Sequence, residues 1–457
     1  MLQYLHQQGF QWRECPSSFP DYYPSVDGAA TFGRTIDPKV FDSAASGRGV
    51  YRLKKNNKSK LLSRFEDMHV STRPLASIAD FLSLCRLYLE SKARHLQHRS
   101  PTTMGRSLVA QLLCICQKDR KISVYTKTTL EQLLQSEGKV VGGIVRKGKN
   151  EFKIEVSRGV LLATAGFSRN QDLRGQHLRH AGKHSSVEWS LTCQNGDTGV
   201  AISLGKSLQA KSDNMDEVWG IPTMKDPKSG ATTQAAFAIS KPFSIVVNQS
   251  GERFFSESQP YGDAVRAMCD PSKKIVSAWL VLDHNYRRRY TLGSLSPWSS
   301  TREAVKAGRL LKADTVAALA RLMGISHDQL SNTIKHWNEM CKDGKDTQFN
   351  RGEDGYQRYM GDPSVHPNPC MGRIQRSPFY AVRIYPGDAG TKGGLVTDEY
   401  SRVLKSDGEK CIPGLYAAGN ASASIFGTKS PGAGAALFQA LTQGYVAGKH
   451  MRTLAST

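Results

Sequence analysis

The sequence lacks the patterns of membrane-spanning, secreted and metal-stabilised proteins. Its longest apolar stretches, such as residues 160–165, are far shorter than the roughly 18 residues that a membrane-spanning helix needs. The first eight residues have neither the basic nor the apolar block of a signal peptide. The nine cysteines are scattered and contain no CxxC pair, so we predict neither a disulfide framework nor a zinc ribbon. A reducing compartment fits this cysteine usage, and we expect a cytoplasmic location.

Acidic residues are also scarce. The chain has 40 Asp and Glu against 62 Lys and Arg, which gives a formal net charge of +22. The densest basic run, residues 52–60, contains no acid. Because no helix-turn-helix, zinc-finger or RNA-recognition signature accompanies this charge, we expect no specific nucleic-acid partner. A basic surface favours peripheral contact with an anionic membrane.

With 457 residues, of which 39% are hydrophobic, the chain is long enough for two or three folded domains and is not typical of disorder. Apolar periodicity and turn residues predict several elements. We expect helices over 105–117, 313–323, 327–340 and 435–450, and strands over 122–125, 140–145, 152–156, 160–163 and 414–420.

Two patterns resemble functional motifs without fulfilling them. The segment from Gly199 to Gly205 is followed by Lys-Ser, but five residues separate its glycines where a phosphate-binding loop requires four. His177, His180 and His184 have helical spacing, yet no neighbouring cysteine or acid completes a ligand set. We therefore predict no metal site.

A glycine-rich turn, Ser430 to Gly434, stands between an apolar strand and a helical run. Such a turn concentrates free backbone N–H groups and the positive end of the helix at one point. An anion, or the electron-rich N1/O2 edge of a reduced flavin, suits that position.

A series of segments stands in order along nearly the whole chain: PDYYPS (20–25), GRTIDP (33–38), GRSLVAQLL (105–113), RGVLLATAGFSRN (158–170), NGDTGVAISLG (195–205), NQSGERFFSESQPYGDAVRAM (248–268), FNRGEDGY (349–356), PFYAVRIYPGDAGTKGGLVTD (378–398) and GLYAAGNASASIFG (414–427). Together they resemble the FAD-dependent 3-ketosteroid Δ1-dehydrogenases of the fumarate-reductase-like flavoprotein family. The Gly-Asn-Ala-Ser-Ala-Ser form at residues 419–424 is similar to the steroid branch rather than to the fumarate or urocanate reductases.

The resemblance implies an α/β protein of mixed α+β character. A discontinuous FAD-binding domain would comprise residues 1–221 and 393–457, with an α+β catalytic domain, residues 222–392, inserted between them. Family members begin with a strand, a GxGxxG turn and a helix, and this sequence contains no such unit. We therefore expect an incomplete Rossmann-like FAD domain. The active site would lie in the cleft between the two domains.

The implied reaction introduces a C1–C2 double bond into a 3-keto steroid or a steroid-like triterpenoid. Tyr261 matches the family's base, which removes a proton from C2, and Tyr22 matches the partner that assists it. Gly434 matches the glycine whose N–H binds the C3 oxygen. Ser430 occupies the place of a tyrosine that anchors the carbonyl in the family, and serine is shorter and less acidic.

FAD is the implied cofactor. The residues that match its binding segments are Ala165, Gly166, Asp197, Thr198, Gly199, Gly419, Asn420, Ala436 and Leu437. Two alternatives stay open. One is a Δ4-dehydrogenase or enoate-type reductase of the same family. The other is a truncated family member without catalysis.

Overall fold

The computed structural model describes residues 1–15, 19–46, 61–119, 122–178, 186–273, 275 and 278–454. The basic run at residues 52–60, His180 and His184 lie outside the described residues. The helices are α1 (Leu2–Gln7), α2 (Met68–Thr72), α3 (Ile78–Gln97), α4 (Met104–Cys114), α5 (Gln171–His177), α6 (Val200–Ser207), α7 (Ala236–Ile239), α8 (Tyr261–Met268), α9 (His284–Arg287), α10 (Arg302–Lys306), α11 (Val316–Met323), α12 (His327–Asp343), α13 (Gly355–Met360) and α14 (Ala435–Thr453).

The strands alternate with these helices, which agrees with the predicted mixed α/β class. They are β1 (Trp12–Glu14), β2 (Ile36–Pro38), β3 (Phe41–Asp42), β4 (Pro101–Thr102), β5 (Thr129–Ser136), β6 (Lys139–Lys147), β7 (Asn150–Glu155), β8 (Val160–Leu162), β9 (Ser212–Asp213), β10 (Val218–Lys225), β11 (Thr232–Gln234), β12 (Ser244–Val247), β13 (Ala278–Leu282), β14 (Leu311–Ala313), β15 (Phe379–Thr391), β16 (Gly394–Leu395), β17 (Arg402–Leu404) and β18 (Cys411–Ala417).

A six-stranded antiparallel sheet organises the middle of the chain. Its order is β11-β10-β15-β13-β12, and β14 also pairs with β15. Strand β13 (AWLVL) is a continuous apolar run, because successive side chains point to opposite faces of the sheet and both faces are buried. Val246 and Leu280 face one core, whereas Val247 and Trp279 face a second core. The sheet therefore forms a rigid support for the residues at its ends.

Helices α11 and α12 cover the second face and confirm two predicted helices. Thr315 and Ser326 cap their N-termini by accepting backbone N–H groups. Each helix ends at a glycine in the left-handed conformation, Gly324 and Gly344. The local sequence thus contains both the start and the stop signals of these helices.

A second, smaller sheet has the order β17-β18-β8. Strands β18 and β8 are parallel, with Leu415 beside Val160, and β17 is antiparallel to β18. Strand β8 is an edge strand among the described residues. The chain runs from β18 through a loop that contains the glycine-rich turn and enters α14. This strand, turn and helix follow the order that we predicted.

The region between α4 and β8 differs in two respects from the prediction. Strands β6, β7 and β8 confirm three predicted strands, but residues 122–125 form no strand, and β5 was missed. Leu130, Leu133 and Leu134 have a spacing typical of a helix. The segment therefore lacks the alternation of apolar and polar residues that would predict β5. Pairing with β6 outweighs that local pattern.

The two predicted domain boundaries fall at different kinds of position. The boundary between residues 221 and 222 lies inside β10, and the one between 392 and 393 lies between β15 and β16. The division of the chain into an FAD domain and a catalytic domain stays a prediction.

Candidate active site

A cavity of about 1120 Å³ lies where the ends of β10 and β15 meet α8 and the start of α14. Its volume slightly exceeds the range of ordinary small-molecule pockets, about 300–1,000 Å³. Eight residues predicted from the sequence line it: Ala165, Tyr261, Gly419, Asn420, Ser430, Gly434, Ala436 and Leu437. The structure therefore brings together residues from widely separated segments of the chain.

Tyr22 lies directly behind the wall of this cavity. Its side chain is buried, and its hydroxyl is 2.5 Å from the hydroxyl of Tyr261. Tyr261 is the first residue of α8, directly after Pro260, and lines the cavity. The Tyr22 backbone N–H donates to the Pro431 carbonyl at 3.0 Å. These two bonds join the N-terminal loop, the start of α8 and the glycine-rich turn.

The two phenols differ in how readily they lose a proton. Burial raises the pKa of both, and that of Tyr22 lies well above its usual value of 10. Their mutual hydrogen bond lowers the pKa of Tyr261 and raises that of Tyr22. This is the pattern expected when Tyr22 donates and Tyr261 accepts. Tyr261 is therefore the phenol better suited to act as a base.

An aromatic cluster holds Tyr22 in place. The Tyr22 ring centroid lies 5.0 Å from that of Tyr356 and 6.2 Å from that of Phe19. Tyr356 is fully buried, and its hydroxyl has no hydrogen-bond partner among the residues that the structure describes. Packing of this kind restricts a side chain to one rotamer. The Tyr22 hydroxyl is therefore presented to Tyr261 in a fixed direction.

The glycine-rich turn forms another wall. Gly434 is the N-cap residue of the 19-residue helix α14 and has φ of +84°. That left-handed conformation favours glycine, and no atom lies within 4 Å of where a Cβ would stand. The first N–H groups of a helix have no partner within it and carry a partial positive charge. The wall can therefore stabilise negative charge in the cavity.

Ala165, Gly419 and Asn420 form a further wall, built from small residues. Ala165 has φ of +62°, which is uncommon for a residue with a side chain. The Asn420 side-chain oxygen accepts a hydrogen bond of 3.1 Å from the indole N–H of Trp219, which also lines the cavity. Asn420 is therefore held at the surface of the wall.

Four predicted cofactor residues do not line the cavity but lie together behind Ala165. The Gly199 N–H donates to the Gly166 carbonyl at 2.9 Å, and the Gly166 N–H donates to the Asp197 carboxylate. Asn170 donates to the Thr198 carbonyl at 2.9 Å. A Cβ on Gly166 would lie 2.0 Å from the Thr391 hydroxyl, so no larger residue fits there. These contacts position the loop that carries Ala165.

The residues present fit a flavin. Small side chains at Ala165, Gly419, Ala436 and Ala440 leave a wall against which a flat ring system can lie, and the N-terminus of α14 supplies positive potential beside it. No group of His, Cys, Asp and Glu that could hold a metal ion occurs among the described residues.

Sequence reasoning missed a polar group beside Ser430. Tyr23 lines the cavity, and its hydroxyl is hydrogen-bonded to the Asp263 carboxylate and to the Ser430 backbone N–H. Lys429 forms an ion pair of 2.8 Å with Asp263. Burial and Asp263 raise the pKa of Tyr23. The one feature of the sequence that could have indicated Tyr23 as a site residue is its position directly after Tyr22.

Sequence reasoning also missed Lys392, a buried lysine in the cavity wall. Its ammonium group donates to the carbonyls of Gly427 and Lys429 at 2.9 and 2.7 Å, and it lies 4.6 Å from the centre of the Trp219 ring. Burial lowers the pKa of Lys392 to about 8. It fastens the loop before the glycine-rich turn to the end of β15.

Known proteins resemble this chain in sequence and in fold. The family model described as an FAD binding domain matches residues 1–437. The 3-oxosteroid 1-dehydrogenase of Mycolicibacterium smegmatis is 33% identical over 447 residues, which cover 94% of this chain and 77% of that protein. The 4-oxocyclohexanecarboxylate 2-dehydrogenase of Sinomonas cyclohexanicum is 30% identical, and the match covers 94% of this chain and 73% of that protein.

A solved structure supports the same relationship. The 3-ketosteroid delta1-dehydrogenase from Sterolibacterium denitrificans, crystallised with 1,4-androstadiene-3,17-dione, has a TM-score of 0.90 and 33% identity. The match covers 98% of this chain and 83% of that one. The fold, the cavity and the FAD-binding model define the class of FAD-dependent oxidoreductases. Within that class, the chain belongs to the family that contains the 3-oxosteroid 1-dehydrogenases.

Proposed function

We propose that the protein dehydrogenates a 3-keto steroid or a steroid-like triterpenoid between C1 and C2. The observation that carries this proposal is the pair of hydrogen-bonded phenols, Tyr22 and Tyr261, at the wall of a cavity that also contains Gly434. Relatives at 33% identity are 3-oxosteroid 1-dehydrogenases, which supports the same reaction.

The chemistry requires the C3 carbonyl to be polarised first. The Gly434 N–H donates to the C3 oxygen and stabilises the negative charge that develops there. This makes the hydrogen on C2 acidic, and Tyr261 takes it as a proton. Tyr22 donates to Tyr261 and favours its phenolate form. FAD, when bound, supplies the acceptor for the hydride that leaves C1, and the C1–C2 double bond forms from the electrons of the broken C2–H bond.

The cofactor would be held by residues from both parts of the sequence. Ala165, Gly419, Asn420, Ala436 and Leu437 line the cavity and would contact the flavin. The group formed by Gly166, Asp197, Thr198 and Gly199 would position that wall. Residues 1–221 and 393–457 supply these groups, whereas Tyr261 comes from residues 222–392. Contributions from both segments support the proposed domain division, with the site between the two domains.

Ser430 affects the size of the substrate that the cavity can accept. It lines the cavity, and the family resemblance implies that it stands in the place of a carbonyl-anchoring tyrosine. The shorter side chain leaves more room, which favours a bulkier ring system such as a triterpenoid. It also leaves the Gly434 N–H as the principal donor to the C3 oxygen.

We also propose a cytoplasmic location with peripheral contact with an anionic membrane. All nine cysteines are free, which supports a reducing compartment. The net charge of +22 supports attraction to an anionic surface. Within the described part of the chain, no helix is long and apolar enough to cross a membrane.

A steroid panel tests the reaction. The purified protein, reconstituted with FAD, is incubated with 3-keto steroids and an artificial electron acceptor, and the position of the new double bond is read by NMR. We expect a C1–C2 double bond, and no reaction with the matching 3-hydroxy steroids, whose C2 hydrogen is not acidic. A C4–C5 double bond would identify a Δ4-dehydrogenase. Saturation of an enone in a parallel incubation, with dithionite-reduced flavin as the electron donor in place of the acceptor, would identify a reductase.

Flavin binding is measured in the same preparation. Retention of flavin absorbance after gel filtration is expected, with a stoichiometry near one per chain. A protein that stays colourless after reconstitution would support the non-catalytic alternative instead.

A further inference from the structure

The solvent face of α3 is apolar. Ile78, Leu82, Leu89 and Leu96 are 80%, 60%, 67% and 89% exposed. Their spacing of four, seven and seven residues places all four on one stripe of a helix, with Cys85 between them. A surface helix normally presents charged and polar residues to solvent. Between Ile78 and Leu96 this helix instead presents a row of exposed aliphatic side chains, with Lys92 beside them.

The opposite face of α3 attaches the helix to the protein. Leu87 and Ser91 are buried, and the Ser91 hydroxyl accepts the Leu62 N–H at 2.9 Å. Asp80 forms an ion pair of 3.0 Å with Arg73. The helix is therefore held from its inner side, and its outward stripe does not pack against the part of the chain that the structure describes. Contiguous exposed apolar surface of this kind marks a contact with a membrane or with another protein.

Aromatic rings and positive charge border the stripe. Phe81 and Tyr88 are 46% and 48% exposed, and the ammonium group of Lys92 lies 5.3 Å from the centre of the Tyr88 ring. The two acids of α3, Asp80 and Glu90, are both neutralised by arginines. The remaining charge beside the stripe is therefore positive, in a chain that is itself strongly basic.

We propose that α3 is a peripheral membrane-docking helix that lies flat on an anionic bilayer. The aliphatic stripe would enter the boundary between headgroups and acyl chains, while Lys92 and the aromatic rings stay at headgroup level. Charge complementarity favours this partner over a second copy of the chain. A two-fold contact would place the same positive border against itself, whereas anionic headgroups neutralise it.

The docking helix is connected to the aromatic cluster at the candidate active site. Helix α2, which precedes α3 and packs against it, carries the buried His69. The His69 ring lies 4.0 Å from that of Tyr359, which in turn contacts Phe19 beside Tyr22. If the proposed steroid reaction holds, docking brings the site close to a phase in which its substrate dissolves. Only this purpose depends on the proposed steroid reaction. The surface itself is independent of catalysis and gives the membrane contact proposed above a definite location.

Vesicle co-sedimentation tests the proposal without steroid or flavin, so its outcome is independent of catalysis. The full chain is mixed with phosphatidylcholine vesicles that contain about 30% phosphatidylglycerol. We expect binding that weakens in high salt, because headgroup attraction is screened. The double variant Leu82→Gln/Leu89→Gln should bind about ten-fold or more weakly, since it removes apolar area from the interface. Lys92→Gln should weaken binding about five-fold and only to the anionic vesicles.

Leu322→Gln is the matched control, because Leu322 is 56% exposed on α11, far from α3 in sequence. It should bind as the unchanged protein does, and all variants should retain the same thermal unfolding midpoint. Failure of the unchanged protein to sediment with anionic vesicles would overturn the proposal, as would equal binding by the double variant. A dimer in solution that the double variant converts to a monomer would assign the stripe to self-association instead.

Discussion

The hydroxyls of Tyr22 and Tyr261 lie 2.5 Å apart across a separation of 239 residues in the chain. Neither residue is unusual by itself among the 16 tyrosines of the protein. Their contact makes the two hydroxyls differ in acidity, because the shared hydrogen bond lowers the pKa of Tyr261 and raises that of Tyr22. The two phenols are thereby distinguished by their surroundings rather than by residue type.

Removal of the Tyr261 hydroxyl should abolish most of the activity. Tyr261→Phe is expected to lower kcat about 10²- to 10⁴-fold, because general-base catalysis contributes that much. Tyr22→Phe should cost less, since Tyr22 assists the base without replacing it. Steady-state kinetics with FAD-loaded protein measures both. Tyr400→Phe, at an exposed position, should keep full activity. Near-normal turnover by Tyr261→Phe would exclude this residue as the base.

The rate should rise with pH. The active form of Tyr261 is the phenolate, and burial holds the pKa of Tyr261 above 10. Between about pH 7 and 9, each pH unit should therefore raise kcat about ten-fold while proton removal limits the rate. Tyr22→Phe removes the bond that lowers this pKa and should displace the profile to higher pH. A plateau already reached below pH 8 would show that another group limits the reaction.

Ser430→Tyr should raise activity on simple 3-keto steroids. A phenol at this position would add a second donor to the C3 oxygen, and one hydrogen bond corresponds to about ten-fold in kcat/KM. Ser430→Ala is the control and should change the rate little, because serine polarises the carbonyl weakly. If the tyrosine variant shows no gain or a loss, position 430 is not the carbonyl anchor.

A buried ion network supports the start of α8. Glu257 accepts from Arg253 at 2.8 Å and from Arg351 at 3.0 Å. Burial alone would raise the pKa of Glu257, but the two guanidinium groups hold it below its usual value. Glu257→Ala leaves both arginines without this carboxylate and should lower the free energy of unfolding by about 3–5 kcal/mol. Denaturant unfolding measures the change, and Glu339→Ala, in an exposed ion pair, should leave the midpoint unaltered.

Lys241 should make stability depend on pH. Its ammonium group is fully buried against the Met360 and Gly361 carbonyls, and burial lowers the pKa of Lys241 from 10.5 to about 7. Between about pH 7 and 9 the unfolded chain keeps this proton and the folded protein does not. The contribution of Lys241 to stability therefore rises with pH over this interval.

Lys241→Met removes that contribution, so the unfolding free energy of the variant should rise less between pH 7 and 9 than that of the unchanged protein. Urea unfolding at several pH values gives both slopes. Lys342→Met, at an exposed lysine, should leave the slope as it was. Parallel slopes for the Lys241 variant and the unchanged protein would show that Lys241 stays protonated in the fold.

The sequence predicted those elements whose local pattern agrees with their final surroundings. Helices α11 and α12 have caps, periodicity and terminal glycines, and β18 is a continuous apolar run. Strand β5 was missed because its leucine spacing is helical and its partner β6 decides its conformation. The fold class came from the family resemblance, and the structural match agrees with it.

Apart from the glycine-rich turn at Ser430–Gly434, the candidate site was predictable only through that resemblance. Composition and periodicity do not relate Tyr22 to Tyr261, and their contact depends on how two distant segments pack. Tyr23 and Lys392 were missed for the same reason, since their partners Asp263, Gly427 and Lys429 become neighbours only in the fold. The catalytic and cofactor roles stay predictions until the variants above are measured.

The backbone bond from the Tyr22 N–H to the Pro431 carbonyl has a consequence for folding kinetics. It joins a residue near the beginning of the chain to one near its end, so the loop that it closes spans most of the molecule. Contacts between residues so far apart in sequence form slowly, because the chain loses the entropy of loop closure before the contacts begin to stabilise the fold. The central sheet and its helices can assemble earlier from nearer segments. During refolding, recovery of activity should therefore lag behind the recovery of secondary structure.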